Sequence, residues 1–345
     1  MNSKKNIFFK NNFEFLRLIC AFQVMLNHSS SEFIYKYFFF IDYFPGVPIF
    51  FFISGYLVFA SYDKNQNIKT FYLNRVLRLY PALILATILG LILVLKIYSN
   101  YEEIDYSESI KWFFYQLSLG QNYNPYNIEQ TINWVTWTLT IEILFYIIVP
   151  IFFLNKKYTK SLVYLFLIVS SIYWCLFSEI NNSLIYYINF TPLKAGWMFM
   201  IGSLFYLNFD ILYKYRNYLF YSIIIIFLII LSDQDNLLFK SSTNDLGFVY
   251  FLFLMMFVFW FAYSVKIKIF TINFDLSYGI YLYHTLVINF LLIFFDRSSL
   301  FLIIMLTLIL SIFSWFLIEK RFLLLKTKNL KKLNKKPPKL SFRGF

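Results

Sequence analysis

The sequence predicts an all-α, polytopic integral membrane helix bundle of about ten transmembrane helices with both termini cytoplasmic. Three observations predict it. Of 345 residues, 60% are hydrophobic and 14% charged, against roughly 45 to 50% and about 25% in soluble domains. Ten stretches approach the ~20 apolar residues that a hydrocarbon core demands. Lys and Arg concentrate on alternate connections between those stretches, the pattern that sets orientation in a bilayer.

The ten predicted spans are 13–33, 44–62, 79–96, 134–154, 161–177, 193–208, 218–232, 248–265, 278–295 and 300–318. A basic N-terminus, residues 1–12, precedes the first. That first stretch holds Arg17, Asn27 and His28 and has no small-residue cleavage site, so it reads as a retained span rather than a signal peptide. The second holds Gly46, Val47 and Pro48 near its start, and the third is entered through Arg75 and Arg78. Residues 97–133 form the longest extramembrane segment, rich in acidic side chains. Its apolar part, 112–119, is too short to cross and reads as a re-entrant or interfacial piece. The fourth span carries Glu142, the next four are almost purely apolar, the ninth carries His284 and the tenth closes a membrane domain of residues 13–322. Residues 323–345 are a basic tail with Pro337 and Pro338, read as a disordered cytoplasmic strip against anionic membrane lipids.

With the N-terminus inside, 25 of the 31 Lys and Arg residues lie on the cytoplasmic side, and only Lys36, Lys96, Lys111, Lys194, Lys240 and Arg297 lie outside. The net charge of +13 therefore reports topology in a multi-pass protein of the cell membrane. No nucleic-acid-binding motif accompanies it, which excludes a nucleic-acid partner. Cys20 and Cys175 sit in apolar runs without metal or redox spacing and are expected as core thiols.

An ionisable group inside a span is costly and marks function by default. Both histidines of the chain, His28 and His284, fall within spans. His28 follows Arg17 by eleven positions, which returns it to nearly the same helix face ~16 Å deeper. Arg75 and Arg78, at i and i+3, share one face; the pair reads either as an anion-binding clamp or as an ordinary positive-inside anchor. Glu142 lies about 12 Å along the helix from Trp134. A carboxylate there can orient an imidazole, neutralise an arginine, or act as an acid or base.

Six segments then line up. Arg17 with His28 after ten intervening residues, Phe51–Phe52–Ile53–Ser54–Gly55, Arg75–Val76–Leu77–Arg78, Trp137–Thr138–Leu139–Thr140–Ile141–Glu142, Ser277–Tyr278–Gly279–Ile280–Tyr281–Leu282–Tyr283–His284, and Glu319–Lys320–Arg321–Phe322 occur in order. This set resembles acyltransferase family 3, integral membrane acyltransferases of the O-acetyltransferase type. Thr138 stands where that family usually has Ser, Pro48 where many members have an acidic or polar residue, and Arg321 where the closing Pro falls.

The resemblance implies transfer of an acyl group, most often acetyl, from cytoplasmic acetyl-CoA to a hydroxyl of a carbohydrate acceptor, a surface polysaccharide or lipid-linked glycan. No metal is implied. His28 and Glu142 become the expected catalytic pair, and Arg17, Arg75 and Arg78 the expected cofactor-binding cations. Asn133, Trp137, Ser54, Tyr281 and His284 become the expected lining of the substrate site. Two rival readings remain at this point: an exporter of a polysaccharide or lipid-linked sugar, since buried His, Glu and Arg also mark permeation paths, and a membrane scaffold.

Overall fold

Apolar helices in lipid gain little from hiding from one another, so close packing and interhelical hydrogen bonds must hold them together. The computed structural model shows how this chain does it. It describes residues 11–29, 39–98, 106–118, 133–177, 188–189, 191–233, 236–241, 245–267, 275–295 and 299–325. Nearly all of the basic ends, 1–12 and 323–345, and most of 97–133 lie outside the described residues.

The helices are α1 Phe13–His28, α2 Gly46–Asn65, α3 Ile68–Tyr98, α4 Tyr106–Gln116, α5 Trp137–Phe152, α6 Thr159–Phe177, α7 Pro192–Leu207, α8 Phe209–Lys214, α9 Ser222–Ser232, α10 Phe248–Ser264, α11 Ser277–Phe295 and α12 Leu300–Ser314. Tighter turns occupy Phe39–Tyr43, Trp134–Thr136 and Arg216–Tyr221, and no strand occurs among the described residues. Among the described residues, six helical stretches are long and apolar enough to cross a membrane: Ile41–Asn65, Ile68–Lys96, Trp134–Phe152, Thr159–Phe177, Ser277–Phe295 and Leu300–Leu325. Shorter apolar helices, Arg216–Ser232, Phe248–Ser264 and the 16-residue α1 and α7, occupy the other predicted positions.

Burial sorts the long helices. The α2 and α11 stretches are 72% buried, whereas the α6 stretch is 17% and the α12 stretch 28% buried. The first two are the inner helices and carry the polar motifs; the last two present Leu, Ile and Phe outward. Cys175 is a correction to the sequence reading. It is exposed on α6, because that helix turns most of its surface away from the bundle, while Cys20 is buried as expected.

Small residues set the closest approach. A Cβ on Gly55 of α2 would lie 2.0 Å from the Phe199 carbonyl oxygen of α7, and one on Gly202 would lie 2.1 Å from the Phe52 carbonyl oxygen. Only glycine lets these two backbones touch. Phe145 of α5 stacks on Phe199 at 3.9 Å beside this crossing. Elsewhere Ser170 of α6 clips α7, donating to the Leu193 carbonyl at 2.7 Å and accepting from the Trp197 amide at 2.7 Å.

Two boundaries differ from expectation. Helix α3 starts eleven residues before the predicted span and runs unbroken through Pro81. Its first three turns carry Lys69, Arg75 and Arg78, which a hydrocarbon-length criterion rejects although a helix accepts them. The last helix continues past the predicted 318, with a wider turn at Trp315–Glu319, to Leu325. Arg321, in place of a proline, keeps the backbone N–H that such continuation needs. Helix α4 contains most of the predicted 112–119 piece, spans eleven residues, and buries Trp112 and Gln116, consistent with a segment too short to cross.

Candidate active site

Helices α1 and α11 begin at the same end of the bundle and are tied together twice. The first tie is ionic. Asp275, just before α11, has one carboxylate oxygen 3.6 Å from Nη1 of Arg17 and 3.5 Å from Nη2 of Arg78. Its other oxygen accepts from the Ser277 amide at 3.1 Å, occupying one of the orphan donors at the start of α11. One side chain thus starts a helix and gathers two guanidinium groups. Asp275 was not singled out from the sequence. Its only signal there is an acid two residues before a Ser–Tyr helix start, which many capping residues share.

Arg75 completes the cationic group from α3, one turn before Arg78. Its guanidinium carbon lies 5.2 Å from the Phe71 ring centre and 5.1 Å from that of Tyr146, and its Nε is buried without a hydrogen-bond partner among the described residues. No carboxylate pairs with Arg75 there, so it carries donor capacity that Arg17 and Arg78 have partly committed to Asp275.

Between these cations and the bundle interior runs a cavity. Arg17, Arg75 and Arg78 line one part of it, Ser54, Glu142 and Tyr146 another, and Thr138 and Tyr281 its inner end. Glu142 takes the Ser54 hydroxyl at 3.0 Å and the Tyr146 hydroxyl in a shorter bond. Among the described residues it bonds neither histidine. Of the three roles open to Glu142, its place in the cavity wall with the arginines favours charge balance. At the inner end, the Thr138 and Tyr281 hydroxyls meet at 2.7 Å, and each lies 3.1 Å from the Val135 carbonyl oxygen.

His284 stands one turn beyond Tyr281 on α11, and here is the second tie. Nδ1 of His28 lies 2.8 Å from Nε2 of His284. Nδ1 of His284 lies 3.0 Å from the Ile280 carbonyl oxygen, and the whole residue is inaccessible to solvent. The Trp134 ring approaches His28 edge-on, with centres 5.4 Å apart. Asn27, one residue earlier on α1, donates to Asp42 at 2.9 Å.

The remaining expected lining residues divide. Ser54 and Tyr281 line the cavity. Asn133 instead fastens its loop to α11, donating to the Leu282 carbonyl at 3.4 Å and accepting from Thr285 at 2.7 Å. Trp137 lies against Phe51, with ring centres 6.4 Å apart. Among the described residues no cluster of His, Cys, Asp or Glu could hold a metal ion.

A family model described as an acyltransferase domain matches residues 10–320. The chain is 28% identical over 220 residues to Nodulation protein 10 of Rhizobium leguminosarum bv. viciae, covering 56% of this chain and 59% of that protein. It is 28% identical over 171 residues to the O-acetyl transferase of Shigella phage Sf6, covering 47% of this chain and 51% of that one. The chain therefore spans only a little over half the length of these relatives. No solved structure matches it. Since the matched region takes in both ties between α1 and α11 and the cavity beside them, the chain belongs to the acyltransferase-domain family.

Proposed function

We propose that this protein is an O-acyltransferase of the cell membrane that moves an acetyl group from cytoplasmic acetyl-CoA to a hydroxyl of an envelope or extracellular carbohydrate. The observation that carries this reading is the cavity from the arginines to Tyr281, with the histidine pair one helical turn beyond. A CoA-type donor has several phosphate charges at one end and a thioester at the tip of a long arm. Arg75, unpaired by any described carboxylate, receives the phosphates with Arg17 and Arg78, since guanidinium groups bind phosphate through short charge-assisted bonds.

The arm then runs past Ser54 and Glu142 toward Thr138 and Tyr281. His28 removes the proton of the acceptor hydroxyl as that oxygen attacks the thioester carbonyl. The bond to sulfur breaks, and the proton passes to the thiolate, giving the ester and free CoA. Glu142 acts on the arginine side, offsetting positive charge while the donor is absent.

The same reading assigns ten crossings, the membrane domain 13–322, and cytoplasmic ends 1–12 and 323–345. The arginine end of α1 then faces the compartment that holds acetyl-CoA. Purified protein in liposomes, given radiolabelled acetyl-CoA and envelope glycan, should yield labelled glycan, and His28→Ala should abolish the label. Full activity in a well-expressed His28→Ala protein would sink the mechanism. Failure of the wild type to bind acetyl-CoA at millimolar concentration would favour the exporter.

A further inference from the structure

The hydrogen bonds of the histidine pair fix where every ring proton sits. A carbonyl oxygen can only accept, so the contact from Ile280 places a proton on Nδ1 of His284. A neutral imidazole carries one N–H, which leaves Nε2 of His284 as a lone pair. That lone pair faces Nδ1 of His28 at 2.8 Å, a distance that requires one proton between the nitrogens. The proton therefore belongs to Nδ1 of His28, and Nε2 of His28 is the one ring nitrogen of the pair whose lone pair no described residue uses.

The ring positions agree. The two planes differ by 16°, and the ring centres are 5.1 Å apart, about the N···N contact plus the two ring radii. The rings thus meet head to head, nearly in one plane, with the N–H aimed along the partner's lone pair rather than face on face. His284 is sealed from solvent, so water cannot take over either bond.

From this we propose that His284 is the positioning residue that holds His28 in its Nδ1–H tautomer and makes Nε2 of His28 the basic atom of the site. The proposal rests on the acyl-transfer reading above for its consequence, though not for its geometry. In many hydrolytic sites a carboxylate holds the base. Here a second neutral imidazole does so, and no carboxylate among the described residues touches either ring; Glu142 is bonded to Ser54 and Tyr146. During transfer Nε2 of His28 takes the hydroxyl proton as the C–O bond forms. The resulting imidazolium keeps donating through Nδ1 to His284, and Nε2 returns the proton to the departing sulfur as the C–S bond breaks. His284 gains and loses nothing, provided its own Nδ1–H stays on Ile280.

The chain has only two histidines, which makes the tautomers directly readable. Protein carrying 15N-histidine, purified without a histidine tag and reconstituted in lipid, should show by solid-state NMR two rings that are both protonated on Nδ1. A wild-type His28 protonated on Nε2 would overturn the assignment whether or not the protein transfers acyl groups.

The kinetic arm uses two variants. His284→Gln retains a side-chain oxygen that can accept from His28, and should keep kcat within about tenfold. His284→Leu cannot accept, and should lower kcat by about 100-fold with the acetyl-CoA KM unchanged. Binding of acetyl-CoA by each variant reports that it is folded. Wild-type kcat in a folded His284→Leu protein would overturn the positioning role while His28→Ala still tests acyl transfer. A folded His284→Gln protein as slow as His284→Leu would overturn it too.

Discussion

The two ties between α1 and α11 are built from opposite materials. At the arginine end, three guanidinium groups share the neighbourhood with Asp275 and Glu142, the pairs stand 3.5 and 3.6 Å apart, and Arg17, Arg78 and Asp275 stay 16 to 28% exposed. At the histidine end two neutral rings make a 2.8 Å bond, and His284 is wholly buried. The contrast separates two tasks. Loose, partly hydrated charge suits an anionic ligand that must arrive and leave, because its contacts exchange with water at little cost. A half-buried ring held by a wholly buried one suits a base that must present one lone pair in one direction, because water cannot reach the partner that orients it.

Substitutions at the two ends should therefore fail differently. The largest effect belongs to the histidine end: His28→Gln should lower kcat by about 10²- to 10⁴-fold, the range of a lost general base, with acetyl-CoA affinity unchanged by calorimetry. Loss of donor binding in that variant would mean that the two ends are not separable. Arg75→Gln should do the reverse, weakening acetyl-CoA binding about tenfold, near the strength of one charge-assisted hydrogen bond, with kcat held within a few-fold. Raised ionic strength should weaken donor binding in the wild type and do so less in this variant, since screening acts on the charge that was removed.

A smaller effect of opposite sign is expected at Asp275. Asp275→Asn keeps a capping oxygen for Ser277 but releases Arg17 and Arg78, so the donor should bind about threefold tighter while the folded state loses about 1 kcal/mol, read as a lower unfolding midpoint. Weaker donor binding would show that Asp275 presents the arginines rather than competing with the ligand. The smallest change is expected from Thr138→Val. The Tyr281 hydroxyl retains the Val135 carbonyl, so kcat should fall by less than about threefold, within one neutral hydrogen bond.

How far the sequence revealed this arrangement depended on the kind of information. Most of the helices were legible because each contains an apolar run. The histidines were legible because a titratable ring in such a run has no cheap explanation. The eleven-residue step from Arg17 to His28 even placed both on one face. What sequence could not supply was pairing between helices. His284 was expected in the lining of the substrate site, and that its ring faces His28 could not be foreseen. Glu142 had three possible roles, and its hydrogen-bond partners, Ser54 and Tyr146, could not be named before the chain folds. Nor could sequence show that Asn133, expected in the lining of the site, bonds Leu282 and Thr285 of α11. Asp275 escaped notice because a helix-capping acid and an arginine-gathering acid look identical before the chain folds. The early start of α3 was missed for another reason: hydropathy measures immersion in lipid, and a helix outlasts its immersed part.

The glycine crossing of α2 and α7 bears on how the cavity can move. Phe50, Phe51, Ser54, Leu57 and Val58 of its wall all come from α2, and Gly55 seats that helix directly on the α7 backbone. With no side chain between them to rearrange, the two helices make a stiff beam. The facing wall of α3 and α11 is joined through side chains instead, Tyr278 on the Leu79 carbonyl, Tyr283 on that of Ala82, and Arg78 on Asp275 just before α11. Side-chain contacts let go and re-form more readily than backbones wedged together, so the α2 side is the stiffer wall of the cavity.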